Sequence, residues 1–236
     1  MRKIYITNIR FNMGYYIELK SISIDSYNRI LETGDLLPSR NILKDNIENN
    51  FALIKEQNIR NLDELLNSLK NKKKLHDFSI QSGISENYLT ILTREIKSML
   101  PSPNKIKDFP NTSNSLITKL ENLGIKNTLQ LFESVLTAKS RLELSRRTGI
   151  EEKDILRLTR LTDLSRIRWV NHTFAYVLLE ASYDSVKKVA SANYKVLYET
   201  VKKLNEEKAI YKGNIGLHDM KLCVEAAKQV PLDIKY

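Results

Sequence analysis

Apolar residues recur along this chain at helical spacing. Leu116, Ile117, Leu120 and Leu123 form an i, i+1, i+4, i+7 stripe that makes one buried helix face. Gly124 follows, where a left-handed C-cap residue is wanted, and Asn127 is placed to N-cap the next helix. The pattern predicts a third helix through Leu144 that stops at Gly149. A fourth opens on Glu151-Glu152, acidic residues favoured at a positive helix N-terminus.

The same pattern occurs earlier at an offset of 66. Ile59-Arg-Asn-Leu-Asp-Glu-Leu-Leu66 lies over Ile125-Lys-Asn-Thr-Leu-Gln-Leu-Phe132, Gly83-Ile84 over Gly149-Ile150, and Leu92-Thr93-Arg94 over Leu158-Thr159-Arg160. Asn58 stands in for Gly124, Asn61 for Asn127, and Ser85-Glu86 for the acidic start. Matching positions are mostly apolar or turn-forming, as expected of one supersecondary unit built twice. A third, truncated copy follows at an offset of 58, with Phe174 to Tyr183 over Leu116 to Ile125 and Asp184-Ser185 as the polar pair. The shorter offset traces to a Pro-containing linker at 101–110, which cannot continue a helix. Two longer amphipathic helices, Tyr194 to Leu204 and His218 to Val230, close the array.

The expected fold is therefore all-α, with tandem four-helix repeats. An N-terminal cap at 1–40 precedes a first repeat at 41–100 and the linker at 101–110. A second repeat spans 111–163, and the truncated third with the C-terminal helices spans 164–236. In the cap, Tyr15 to Ile24 alternates as a short strand does, and Asp25 to Thr33 reads as a helix with Asp25 as N-cap and Gly34 as stop.

The segment ahead of each repeat's first helix resembles the turn of a helix-hairpin-helix motif. These segments are Leu43-Lys-Asp-Asn-Ile-Glu-Asn49, Phe109-Pro-Asn-Thr-Ser-Asn114 and Ile167-Arg-Trp-Val-Asn-His-Thr173. In that family an apolar-Gly-apolar-Gly turn and the following helix N-terminus hold a nucleic-acid phosphate through backbone N–H groups. None of the three keeps the glycines, although Asn111, Asn114 and Asn171 can take left-handed conformations. The competing reading is a helical hairpin kept for packing alone.

From about residue 108 onward the layout resembles the domain-of-unknown-function 4332 family. The resemblance rests on Leu123-Gly-Ile-Lys-Asn-Thr-Leu-Gln-Leu131, Thr148-Gly-Ile-Glu-Glu-Lys-Asp-Ile-Leu-Arg-Leu158, Asp163-Leu-Ser-Arg-Ile-Arg-Trp-Val170 and Leu204-Asn-Glu-Glu-Lys-Ala209. It implies tandem helix-hairpin-helix-like units and no assigned activity. Where the family has a Gly-Val-Gly-like step, this chain has Trp169-Val170-Asn171.

Composition adds a partner class. The formal net charge is +10, which attracts polyanions without specifying one. The densest cationic stretch is Arg146, Arg147, Arg157, Arg160, Arg166 and Arg168, beside Trp169 as a stacking platform and Asn171 in the third hairpin. These are the candidate nucleic-acid-binding residues, against the alternative of solvated helix faces with Trp169 as a core anchor. Lys72-Lys73-Lys74 reads as a solvated loop and His172 as an exposed turn residue.

No catalytic motif is present. His76, His172 and His218 lack metal-ligand spacing, Cys223 is the sole thiol, and there is no phosphate loop, dinucleotide fingerprint or nucleophile elbow. A non-enzyme without cofactor or metal is expected. Neither a signal peptide nor an apolar run of about 18 residues is seen, so the expectation is a cytoplasmic protein with no membrane role. Its partner is DNA or RNA, or alternatively another protein docked on a helical scaffold.

Overall fold

The computed structural model describes residues 14–236. Its α-helices are α1 (Ile24–Thr33), α2 (Ile47–Glu56), α3 (Leu62–Ser68), α4 (Lys72–Ser82), α5 (Glu86–Ser98), α6 (Asn114–Glu121) and α7 (Thr128–Val135). They continue as α8 (Ala138–Thr148), α9 (Glu152–Leu164), α10 (His172–Glu180), α11 (Val186–Ala190), α12 (Tyr194–Lys208) and α13 (Leu217–Lys228). Short 3-10 turns occupy Leu19–Ser21, Pro38–Lys44 and Ile106–Asp108. The protein is all-helical, with no strand among the described residues.

Left-handed backbone punctuates these helices in three registers. Asn58, Gly124 and Ser182 follow α2, α6 and α10 at φ of 60°, 78° and 66°. Gly83, Gly149 and Ala209 end α4, α8 and α12 at 75°, 62° and 49°. Asn46, Asn111 and Trp169 precede α2, α6 and α10 at 49°, 56° and 67°. The orphan carbonyls at a helix end are satisfied most directly when the next residue turns left-handed, which Gly and Asn do at least strain.

Side-chain bonds recur with the backbone. Asn61 and Asn127 each accept at 3.0 Å from the backbone N–H three residues on, capping α3 and α7. The Ser79 and Ser145 hydroxyls donate to the carbonyls of Ile84 and Ile150, both at 2.6 Å. Because the two caps have one geometry, Asn61→Ala and Asn127→Ala are each expected to cost about 1 kcal/mol. Urea denaturation checks this, and costs differing by more than about 1 kcal/mol would show that one asparagine has a further duty.

Packing divides the helices between two main apolar cores. One collects side chains from Leu19 to Met99, and the other from Ile106 to Val230. A small third cluster joins Tyr15, Phe132 and Ile234. A fully buried Leu, Ile or Phe contributes about 1.5–3 kcal/mol, so the cores and not helix propensity hold the fold.

Three local expectations are corrected. Tyr15 to Ile24 is no strand: Leu19–Ser21 wind into a 3-10 turn, and only Ser23 forms a bridge, with Asn61. Leu19 and Ile24 are apolar because they enter the first core. Ser23, not Asp25, caps α1 by accepting from Ser26 N–H at 3.1 Å. Lys72-Lys73-Lys74 is the first turn of α4, held there by the Asn71 cap. Of the expected cap, 1–13 lies outside the described residues.

The segment from 101 to 110 is also more than a spacer. Ile106 and Phe109 are buried in the second core, and Asn104, Lys105 and Ile106 run antiparallel to Lys126, Asn127 and Thr128. The connection between α5 and α6 covers 99–113, whereas that between α9 and α10 covers only 165–171.

Candidate nucleic-acid interface

The six arginines that lie close in sequence part company in space. Arg146 and Arg147 are exposed in the last turn of α8. Arg157, on α9, is half-buried; its guanidinium donates to the Pro110 carbonyl at 2.6 Å and lies 5.5 Å from the centre of the Tyr176 ring. Arg160, one turn on, pairs with Asp184 at 3.4 Å. These two share a helix face as the spacing demands, but they brace α9 against Pro110 ahead of α6, Tyr176 on α10 and Asp184 after α10.

Arg166 is withdrawn from the expected surface. It is 2% exposed, and its guanidinium pairs with Asp163 at 2.8 Å. It also donates to the carbonyls of Gly14, Tyr15 and Pro231 and lies 4.6 Å from the Phe132 ring centre. Asp163 in turn accepts from Val186 N–H and the Tyr236 hydroxyl, both at 3.0 Å. Burial pushes the Asp163 carboxyl above its ordinary range, opposed first by the Arg166 charge. A cation so enclosed ties chain segments together and has no ligand-facing side.

Arg168 is likewise engaged. It donates to the Glu95 carboxylate at 2.5 Å and to the Glu95 carbonyl at 3.2 Å. Arg40 Nε approaches the same carboxylate at 3.3 Å, so Glu95, buried on α5, faces two cations. Asn171 is the N-cap of α10, accepting from Phe174 N–H at 2.9 Å, and at φ −82° it is not left-handed. Asn114 is helical within α6. The left-handed role falls instead to Asn111, as expected, and to Asn46 and Trp169. His172 is no exposed turn residue: it opens α10 half-buried, its N–H donating to Asn104 Oδ1 and its ring edge-on to Phe109.

Trp169 is the residue that stands out. It is 42% exposed at a φ of 67°, a conformation that costs a bulky L-residue about 1–2 kcal/mol. Two local contacts hold it there. The Arg168 guanidinium lies 4.0 Å from the indole centre, and Val170 N–H closes the turn onto the Ile167 carbonyl at 3.0 Å. Arg168 is itself fixed by Glu95, so the exposed indole is braced from the first core.

Trp169 walls two clefts where the cores meet. One, of about 260 Å³, is lined by Phe174, Tyr211 and Met220. The other, of about 220 Å³, runs past Tyr27, Glu95 and Met99. The Tyr27 hydroxyl is buried without a hydrogen-bond partner, and burial together with the Glu95 charge pushes its pKa up. Sequence reading misses Glu95 and Arg40. Glu95 does leave a signal, a carboxylate set among Leu92, Ile96 and Met99 on the buried face of α5. Cys223 lies beside the first cleft, its thiol pushed up to about 12 by burial, which leaves it protonated and unreactive.

Among the described residues, no three His, Cys, Asp or Glu side chains gather as a metal site. No helix among them is long and apolar enough to cross a membrane. Compared with known proteins, residues 110–230 match the model of a family described as a domain of unknown function (DUF4332). No curated protein and no solved structure matches the chain.

Proposed function

The chain belongs to the DUF4332 family, and on that premise we propose that it is a non-catalytic cytoplasmic protein that binds DNA or RNA through phosphate contacts independent of sequence. The observation that carries this reading is Trp169, an exposed aromatic held in a strained hairpin turn by Arg168, which is itself paired with buried Glu95. Strain of this kind persists where the surroundings over-determine it, and it clusters at binding sites. The net charge of +10 supplies the general attraction to phosphate, and Arg146 and Arg147 replace the internally committed arginines as its exposed agents. In this reading α2–α5 and α6–α9 are two four-helix copies, and α10–α13 hold the shortened third with the closing helices. The recurring left-handed residues and paired caps support that division.

A titration of labelled duplex at several salt concentrations tests the proposal. Binding is expected to weaken linearly in a log–log plot, and Arg146→Glu with Arg147→Glu should flatten that slope by roughly one for each phosphate no longer neutralised. Absence of binding at low salt overturns it. The second reading is a protein-interaction scaffold, for which separate exposed apolar side chains such as Ile80 on α4 and Val196 on α12 are available contacts. It predicts a partner protein whose binding is insensitive to the two arginine reversals.

A further inference from the structure

We propose that the cleft between Trp169 and Tyr211 takes one unpaired nucleobase, so that the protein grips single strands at this point; this rests on the nucleic-acid reading above. Three aromatic rings are arranged there before any ligand arrives. Tyr211 meets Phe174 edge-on, with centroids 5.3 Å apart, and Trp169 stands as a further wall. Tyr211 is pinned from behind. Its N–H donates to Asn205 Oδ1 at 2.7 Å, and Asn205 Nδ2 donates back to the Tyr211 carbonyl at 2.9 Å. Gly213 passes so close under the ring that a Cβ there would sit 2.6 Å from Cε1. The loop is thus shaped around the tyrosine, and a side chain at 213 would displace it.

Size and polarity select the occupant. At about 260 Å³ the cleft falls below the roughly 300–1,000 Å³ of sites that enclose a whole drug-sized ligand. One flat ring system fits, and whatever carries it must remain outside. Asn214 and Asp219 line the cleft; Asp219 Oδ2 already accepts from Gly216 N–H at 3.0 Å, and its other oxygen and the Asn214 amide suit the amino and ring N–H groups on a base edge. Outside, Lys212 is exposed in the same loop, where a sugar-phosphate chain would pass. Stacking on aromatic walls is tolerant of base identity, in keeping with binding that does not read sequence. A paired base cannot enter, because its edge is already engaged and both its faces are stacked.

Trp169 is the chain's one tryptophan, so its fluorescence reports on the two clefts it walls, and Asn214, which lines only this one, tells them apart. The full chain would be titrated with a mixed-sequence single-stranded oligonucleotide, the matching duplex and a free nucleoside, with anisotropy of labelled strands followed in parallel. Saturable quenching by the single strand and none by the duplex is expected. Asn214→Ala, an exposed loop change, should weaken the single strand about tenfold and leave duplex binding unchanged. Trp169→Gly, which relieves the left-handed strain, should fold normally by circular dichroism yet weaken the single strand at least as much. Anisotropy showing single-strand binding with fluorescence unmoved overturns the cleft assignment and leaves the nucleic-acid reading standing. A free nucleoside that quenches as tightly as the strand overturns it in favour of a small-molecule site. No binding by any nucleic acid removes both.

Discussion

Replacing Arg166 by methionine is expected to destabilise the protein by about 3–5 kcal/mol, the usual cost of breaking a buried ion pair from one side. The size of the effect follows from what the guanidinium holds. Asp163 would remain buried without its counter-charge, and the carbonyls of Gly14, Tyr15 and Pro231 would lose their donor. These carbonyls belong to segments at opposite ends of the described chain, so one side chain ties both to the end of α9. For a chain of this length the loss corresponds to a fall in melting temperature on the order of 10 °C. Adding Asp163→Asn should recover part of it, since an amide oxygen can still accept from Val186 N–H and the Tyr236 hydroxyl. Urea denaturation of the two single variants and the double measures this coupling. A cost below about 1 kcal/mol for Arg166→Met, or a double variant no better than the sum of the singles, would show that Asp163 is not held by Arg166.

The same residue shows where sequence reading stops. Caps and helix ends are legible because their chemistry is local: Asn61, Asn127, Gly83, Gly124 and Gly149 each act within four residues of themselves. The all-helical class follows from such signals together with the apolar stripes. The fate of the arginines is not local. Arg166 bonds to Tyr15 across 151 positions, and Arg168 reaches Glu95 across 73. A run of like charges gives no hint of which members will be drawn inward. Only the partner carboxylates on apolar stripes, Glu95 and Asp163, carry that information. The expected strand fails for a related reason, since four or five alternating positions describe an irregular segment docking on a core as well as they describe a strand. Trp169 stands out in the sequence as an aromatic among cations, but its left-handed backbone goes against residue preference; asparagine takes the left-handed position ahead of α2 and α6. A position that defies local preference is where function is most usefully sought.

Glu95→Gln should strike at the joint between the two main cores. Its carboxylate, 3% exposed on α5, neutralises Arg40 from the first half and Arg168 from the α9–α10 connection of the second. The amide leaves two inward-facing guanidiniums with no counter-charge. Both retain some solvent contact, so the expected cost is discounted to about 2–3 kcal/mol. Arg168→Met should cost less, because Arg40 then still faces Glu95 and no uncompensated cation remains. The larger consequence concerns cooperativity. Each half has its own apolar core, and a further pair, Asp35–Lys221, spans the gap at the surface. With the buried joint weakened, the halves are expected to unfold separately, and Trp169 sits where they part. Its fluorescence transition in urea should move ahead of the far-UV circular dichroism transition in Glu95→Gln, whereas the two coincide in the parent chain. Coincident transitions at an unchanged midpoint would mean that Glu95 does not join the halves, and the brace assigned to Trp169 would fall with it.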